Sequence, residues 1–147
     1  MTTLAPILLV EDNEDDVFFM KRALQGAQIE NPLQVAEDGQ EAIDYLEGSG
    51  KYEDREQFPL PLMVLLDLKM PRRNGLEVLE WIRAQPQFKT MVVVVLTTSR
   101  EGSDLERAYQ LGANSFLLKP SNVKTLSQMM AALKIYWLTY NQFFVAE

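Results

Sequence analysis

Three carboxylates, a hydroxyl and an ammonium follow short apolar runs in this chain. Glu11 and Asp12 come after Ile7-Leu8-Leu9-Val10, Asp67 after the run ending at Leu66, Thr97 after that ending at Leu96, and Lys119 after Phe116-Leu117-Leu118. Left alone in a partly desolvated pocket, the carboxylates would repel one another strongly. A divalent cation and the Lys119 ammonium together offset them. The chain has no histidine and no cysteine, so such a cation is held mainly by oxygen, as magnesium, calcium and manganese are. Magnesium suits best, because it accepts a few carboxylates and keeps several waters; the backbone carbonyl of Lys69 can add one more oxygen. Asp67 is then the nucleophile, attacking a phosphoryl group in line while Lys119 and the metal neutralise its equatorial oxygens. Thr97 can donate a hydroxyl hydrogen bond to one of them. The acyl phosphate carries a charge near about −2, and satisfying it pulls on the loops that bear Thr97 and Lys119, which is how a switch arises.

The elements that must position these groups alternate between buried strands and helix-period segments. Strands are expected at Ile7–Val10, Leu33–Ala36, Leu62–Leu66, Met91–Leu96 and Phe116–Leu118. Helices are expected from the Asn13 cap to about Ala27, from the Asp38-Gly39-Gln40-Glu41 box to Gly48, and from the Asn74 cap with Glu77 at the capping-box position. Two more span Asp104–Leu111, ended by Gly112, and Asn122 to about Tyr140. The polar stretch from Gly48 to Pro61 reads as a surface loop. Five strands alternating with five helices predict an α/β, doubly wound, flavodoxin-like parallel sheet with an extended C-terminal helix. Ligands of such sheets bind outside the carboxyl ends of the strands, where the five residues fall.

The length of 147 residues suits one domain, with a helical extension over about 122–147 and no output domain. A net charge of −7 weighs against direct nucleic-acid binding. Without cysteine or histidine there is no disulfide framework, thiolate zinc site or Ser-His-Asp triad. No apolar run is long enough for a signal peptide or a membrane span, so a cytoplasmic address without membrane insertion is expected.

The strings ILLVEDN, LLDLKMPRRNG, VVVLTTS and GANSFLLKP occur in this order, with 30 residues from Asp67 to Thr97 and 22 from Thr97 to Lys119. They resemble the receiver domain of two-component response regulators over nearly the whole chain. The resemblance implies that Glu11 and Asp12 are the acidic pair that holds magnesium and that Asp67 is the phosphoacceptor, supplied by a sensor histidine kinase. The loop from Gly48 to Pro61 either contacts the kinase or covers the sheet edge. It implies that Thr97 senses the phosphate, Lys119 pairs with it, and Phe116 is the switch aromatic. It further implies a cis Lys119-Pro120 bond, and it puts Lys69 and Ser99 where hydrolysis is tuned. Self-phosphorylation and autodephosphorylation are expected, in a switch rather than an enzyme proper. The loop KYEDREQFPLP and the tail IYWLTYNQFFVAE make the chain most like the small stand-alone regulators of cyanobacterial phytochromes, which act on a downstream protein that the sequence does not name. The alternative is a pseudo-receiver that only binds protein, which would be expected to lack the acceptor or its lysine. An aspartyl phosphohydrolase would usually carry a second acid two residues after the nucleophile, where this chain has Lys69.

Leu126, Met130, Leu133, Trp137 and Tyr140 recur at helical spacing and form the expected core face of the last helix. Met129, Ile135, Tyr136 and Leu138 leave apolar groups on other faces, and Phe143 and Phe144 extend them. A helix apolar nearly all round is buried on more than one side, so a symmetric homodimer through helix 4, strand 5 and helix 5 is expected. The alternative is a tail that folds back on its own domain.

Overall fold

A computed structural model describes residues 4–144. Five parallel strands, β1 (Ile7–Val10), β2 (Leu33–Ala36), β3 (Met63–Leu66), β4 (Val92–Thr97) and β5 (Ser115–Leu118), form one sheet in the order β2-β1-β3-β4-β5. Helices α1 (Glu14–Gly26), α2 (Gly39–Glu47), α3 (Gly75–Ala84) and α4 (Gly102–Gln110) connect successive strands, and α5 (Val123–Leu133) follows β5. The caps act as expected: Asn13 accepts from Asp16 N–H, Asp38 from Glu41 N–H, and Asn74 and Glu77 close a reciprocal box. Gly48 ends α2 at φ 79°, a left-handed conformation natural to glycine.

Because side chains alternate across a strand, each strand feeds two cores. Ile7, Leu9, Met63, Leu65, Val94 and Leu96 pack with α1 and α5, whereas Leu8, Val10, Val64, Leu66 and Val93 pack with α2 and α3. Val95 joins Leu68 and Ala108 in a smaller cluster near α4, against which Phe116 rests half-buried. The same alternation, carried one residue past β1, β3 and β5, sends Glu11, Asp67 and Lys119 toward the α1/α5 layer, while Thr97, the last residue of β4, follows Val95 toward the α3/α4 layer.

The stretch from Gly48 to Pro61 covers the end of α2. Arg55 donates to the carbonyls of Tyr45, Leu46 and Phe58, which satisfies acceptors a helix end leaves free. Tyr52, 5% exposed, packs tilted against Tyr45 and edge-on to Phe58 and donates its hydroxyl hydrogen bond to Glu41.

The C-terminal helix departs from its expected face. After Leu133 it widens into a π-helical segment, Lys134–Tyr140, closed by Asn141 N–H to the Tyr136 carbonyl at 2.8 Å. Side chains five rather than four apart then share a face. Leu126, Met130 and Leu133 are buried and Trp137 half-buried, but Tyr140, placed on the core face by helical spacing, is 73% exposed. Met129, Leu138 and Phe143, expected to point outward, pack against the α1/α5 core, so the tail partly folds back on its own domain. Ile135, Tyr136 and Phe144 remain exposed as expected. The last three residues of the expected extension lie outside the described residues. Among those described, no helix is long and apolar enough to cross a membrane.

Candidate functional site

Backbone hydrogen bonds continue past the strand ends and hold the rim in place. Glu11 N–H donates to the Ala36 carbonyl at 3.0 Å, Asp67 N–H to Val10 at 3.1 Å and Lys119 N–H to Thr97 at 2.8 Å. Glu11 and Asp67 are therefore fixed as firmly as strand residues. Both are nearly closed off from solvent, whereas Asp12 is exposed. Carboxylate oxygens of Glu11, Asp12 and Asp67 lie within 4.8 Å of one another. An all-oxygen set of this compactness fits a hard divalent cation. Lys69 is exposed and shares with Asp12 a cleft of about 410 Å³.

The Lys119 ammonium sits against this set. Its Nζ lies 2.6 Å from Glu11 Oε2, 3.0 Å from Asp16 Oδ2 and 3.3 Å from Asp67 Oδ2, one carboxylate for each of its three N–H donors. Burial works against the charged ammonium, but the bond to Glu11 and the charges of Asp67 and Asp16 outweigh it and hold Lys119 well above the usual lysine range. Glu11 shows the opposite balance. Burial pushes its carboxyl up to about 7, only partly opposed by Lys119, and the Asp67 charge adds to the rise. One ammonium does not fully compensate these acids, which leaves room for further positive charge. The Lys119-Pro120 bond is trans, contrary to the cis form expected from resemblance. Trans is the intrinsically favoured isomer of X-Pro bonds, and from it the lysine already reaches all three acids.

Thr97 is fully buried at the end of β4. Its Oγ1 accepts from Ser99 N–H at 3.2 Å, and Ser99 Oγ donates to Asp104 of α4 at 2.5 Å. The hydroxyl expected to sense a phosphate is thus connected to α4 through two hydrogen bonds. The structure brings Glu11, Asp12, Asp67 and Lys119 into one cluster and gives Thr97 its contacts in the neighbouring layer.

Asp16 was not among the residues expected at the site. It stands in the first turn of α1, where an acid commonly serves the helix dipole, and that reading hides it. Its signal is position: a side chain in a first turn leans back toward the helix N-terminus, and this helix begins beside the acidic pair. A cavity of about 420 Å³ opens here between α1 and the start of α5, bordered by Glu11, Asp16, Asp67 and Lys119 over an apolar floor that includes Met20 and Leu126.

The family model for the response regulator receiver domain matches residues 7–131. The chain is 38% identical over 132 residues to response regulator Rcp1 of Synechocystis sp., covering 90% of this chain and 88% of Rcp1. Its structure resembles that of the phosphorylated cyanobacterial phytochrome response regulator RcpA with a TM-score of 0.87 and 33% identity, over 96% of this chain and 99% of RcpA. The Mn(2+)-bound form of Rcp1 matches with a TM-score of 0.84 and 35% identity, over 96% of this chain and 99% of that one.

Proposed function

The chain belongs to the response regulator receiver domain family, and we propose that it is a two-component switch whose Asp67 accepts a phosphoryl group from a sensor histidine kinase. The observation that carries this reading is the Lys119 ammonium bonded to Asp67 at 3.3 Å beside three clustered carboxylates. A buried aspartate paired with a fixed cation and an all-oxygen metal set is what aspartyl phosphorylation requires. The similarity to RcpA and Rcp1 supports a phytochrome-like kinase as the donor.

Asp67 Oδ attacks phosphorus in line as the bond from phosphorus to the donor's imidazole nitrogen breaks, and the imidazole leaves. Glu11, Asp12, Asp67 and the Lys69 carbonyl would hold magnesium, which when bound neutralises phosphoryl oxygens and reduces their repulsion of the nucleophile. A manganese ion in the related Rcp1 supports a divalent ion here. Lys119 donates to a phosphoryl oxygen, and Thr97 turns from Ser99 to donate to another. Because Ser99 is bonded to Asp104, that turn disturbs the start of α4, and Phe116, packed in the same small cluster, follows. The same site then permits self-phosphorylation from small donors and autodephosphorylation.

The face built from α4, β5 and the tail exposes Leu105, Tyr109, Leu118, Ile135 and Tyr136, and we assign it to a homodimer or a downstream protein. In the test, protein with magnesium and phosphoramidate is followed by intact mass, while beryllofluoride with magnesium is added during sedimentation. Wild type should gain one phosphoryl group and Asp67→Asn none. If neither protein is labelled and neither binds beryllofluoride, the chain is a protein-binding pseudo-receiver instead. Sedimentation as a monomer at micromolar concentration, with and without beryllofluoride, excludes the homodimer.

A further inference from the structure

Lys119 has three acidic partners, and they are not equivalent. Glu11 and Asp67 belong to the carboxylate set that fits a metal ion, whereas Asp16 is absent from that set. Under the function proposed above, on which this inference rests, metal and phosphoryl group both draw on Glu11 and Asp67. Asp16 is then the one acid that remains Lys119's alone.

Its position is also prepared by the fold. Asn13 N–H donates to Glu11 Oε1 at 3.1 Å, and Asp16 N–H donates to Asn13 Oδ1 at 3.1 Å. Lys119 Nζ then donates to Asp16 Oδ2 at 3.0 Å and to Glu11 Oε2 at 2.6 Å. These four bonds close a ring that ties the end of β1, the first turn of α1 and the residue after β5 to one ammonium. The Asp16 side chain is 39% exposed and that of Lys119 12%, so the carboxylate stands at the mouth of the cavity with the lysine beneath it. Replacing Asp16 by a neutral residue leaves Lys119 only the two acids that the reaction must free.

We propose that Asp16 is a positioning residue for phosphoryl transfer: it retains Lys119 at the phosphoryl-facing side of Asp67 while Glu11 and Asp67 are engaged elsewhere. It touches no reacting atom and acts through the lysine.

The test compares wild type, Asp16→Asn, Asp16→Glu, Lys119→Met and the double variant Asp16→Asn/Lys119→Met. Calorimetry reads beryllofluoride affinity at saturating magnesium, and intact mass reads the labelling rate with saturating phosphoramidate. Asp16→Asn should lower the affinity and the maximal rate by about tenfold, the size of one lost charge-assisted hydrogen bond, with little change in KM for the donor. Asp16→Glu should recover part of both. Adding Asp16→Asn to Lys119→Met should change either readout by less than about twofold, because the partner is already gone. The calorimetric magnesium isotherm confirms that each variant is folded with its acidic set intact. The inference is overturned if wild type is labelled and Asp16→Asn matches it, or if Asp16→Asn costs as much without Lys119 as with it. If wild type itself is neither labelled nor binds beryllofluoride, the phosphoacceptor reading falls, and this one with it.

Discussion

Lys119 Nζ lies 2.6 Å from Glu11 Oε2, an ion pair that joins the end of the last strand to the end of the first. Truncating the lysine leaves two nearly buried acids, Glu11 and Asp67, without their cation. Losing one partner of a buried pair typically costs about 3–5 kcal/mol. Here Lys119→Met is expected to cost less, about 2–3 kcal/mol at neutral pH, because Glu11 is already pushed up to about 7 and takes a proton instead. Urea unfolding followed by tryptophan fluorescence measures the difference, and an unchanged midpoint would count against a structural share for this pair.

Gly75 opens α3 directly against the backbone of Asp67 and Leu68. A Cβ there would stand 2.2 Å from the Asp67 carbonyl oxygen and 2.7 Å from the Leu68 Cα, far inside contact distance, and no flexible side-chain end is available to yield. Gly75→Ala is expected to destabilise by about 2–3 kcal/mol, as overpacking does. It should also slow labelling at Asp67 by moving its backbone. The paired measurements are thermal unfolding and phosphoramidate labelling; normal values in both would show that α3 can shift without disturbing β3.

Asp38 caps α2 and also receives two bonds from Arg72, at 2.8 and 3.0 Å. Burial tends to raise its carboxyl, but the Arg72 and Glu41 donors prevail and hold it below the usual carboxylate value. A depressed carboxylate contributes stability above its unfolded value, and that contribution is lost as pH falls through the lower folded value. Asp38→Asn should therefore be less stable than wild type at neutral pH, and the two should converge as pH falls through the lowered folded value of Asp38. Thermal midpoints across pH 2–7 test this, and parallel curves would refute it.

Thr97 connects to α4 through Ser99 and Asp104. Thr97→Ala should still bind beryllofluoride with magnesium, since Asp67, Lys119 and the acids are untouched, but should not transmit binding to α4. Hydrogen exchange of the α4 amides is the readout: wild type changes on binding and Thr97→Ala does not. An equal response would place the transmission elsewhere.

Most of the fold was legible because strand and helix periods are strong in this chain. The β-branched run ending at Leu96 can hardly be anything but a buried strand, and the Asn74/Glu77 box fixes a helix start to the residue. The acidic pair, Asp67 and Lys119 were legible because strand ends in a parallel sheet must meet at one rim. Asp16 was not, since an acid in a first turn has the same appearance whether it serves a helix dipole or a lysine a hundred residues away. Tyr140 was misplaced because spacing arguments assume 3.6 residues per turn, and the helix widens after Leu133. Phe143 was read as outward because an apolar residue has the same appearance whether it meets a second chain or the tail's own domain, and here the tail partly folds back. The trans Lys119-Pro120 bond shows a limit of resemblance, which carries over residues more reliably than backbone isomers.

The hydrogen bonds of the rim fall into two groups, one in which Glu11, Asp16 and Asp67 meet on Lys119 and one that runs from Thr97 through Ser99 to Asp104. Under the proposed function, loading and readout therefore answer to different genetic pressures. Substitutions in the α1/α5 layer can retune how fast the site fills while the message delivered by α4 stays the same. Substitutions around α4 can redirect that message to a new listener while the charging chemistry is inherited intact. A lineage carrying this architecture can rewire its input and its output one at a time, with a working intermediate at each step.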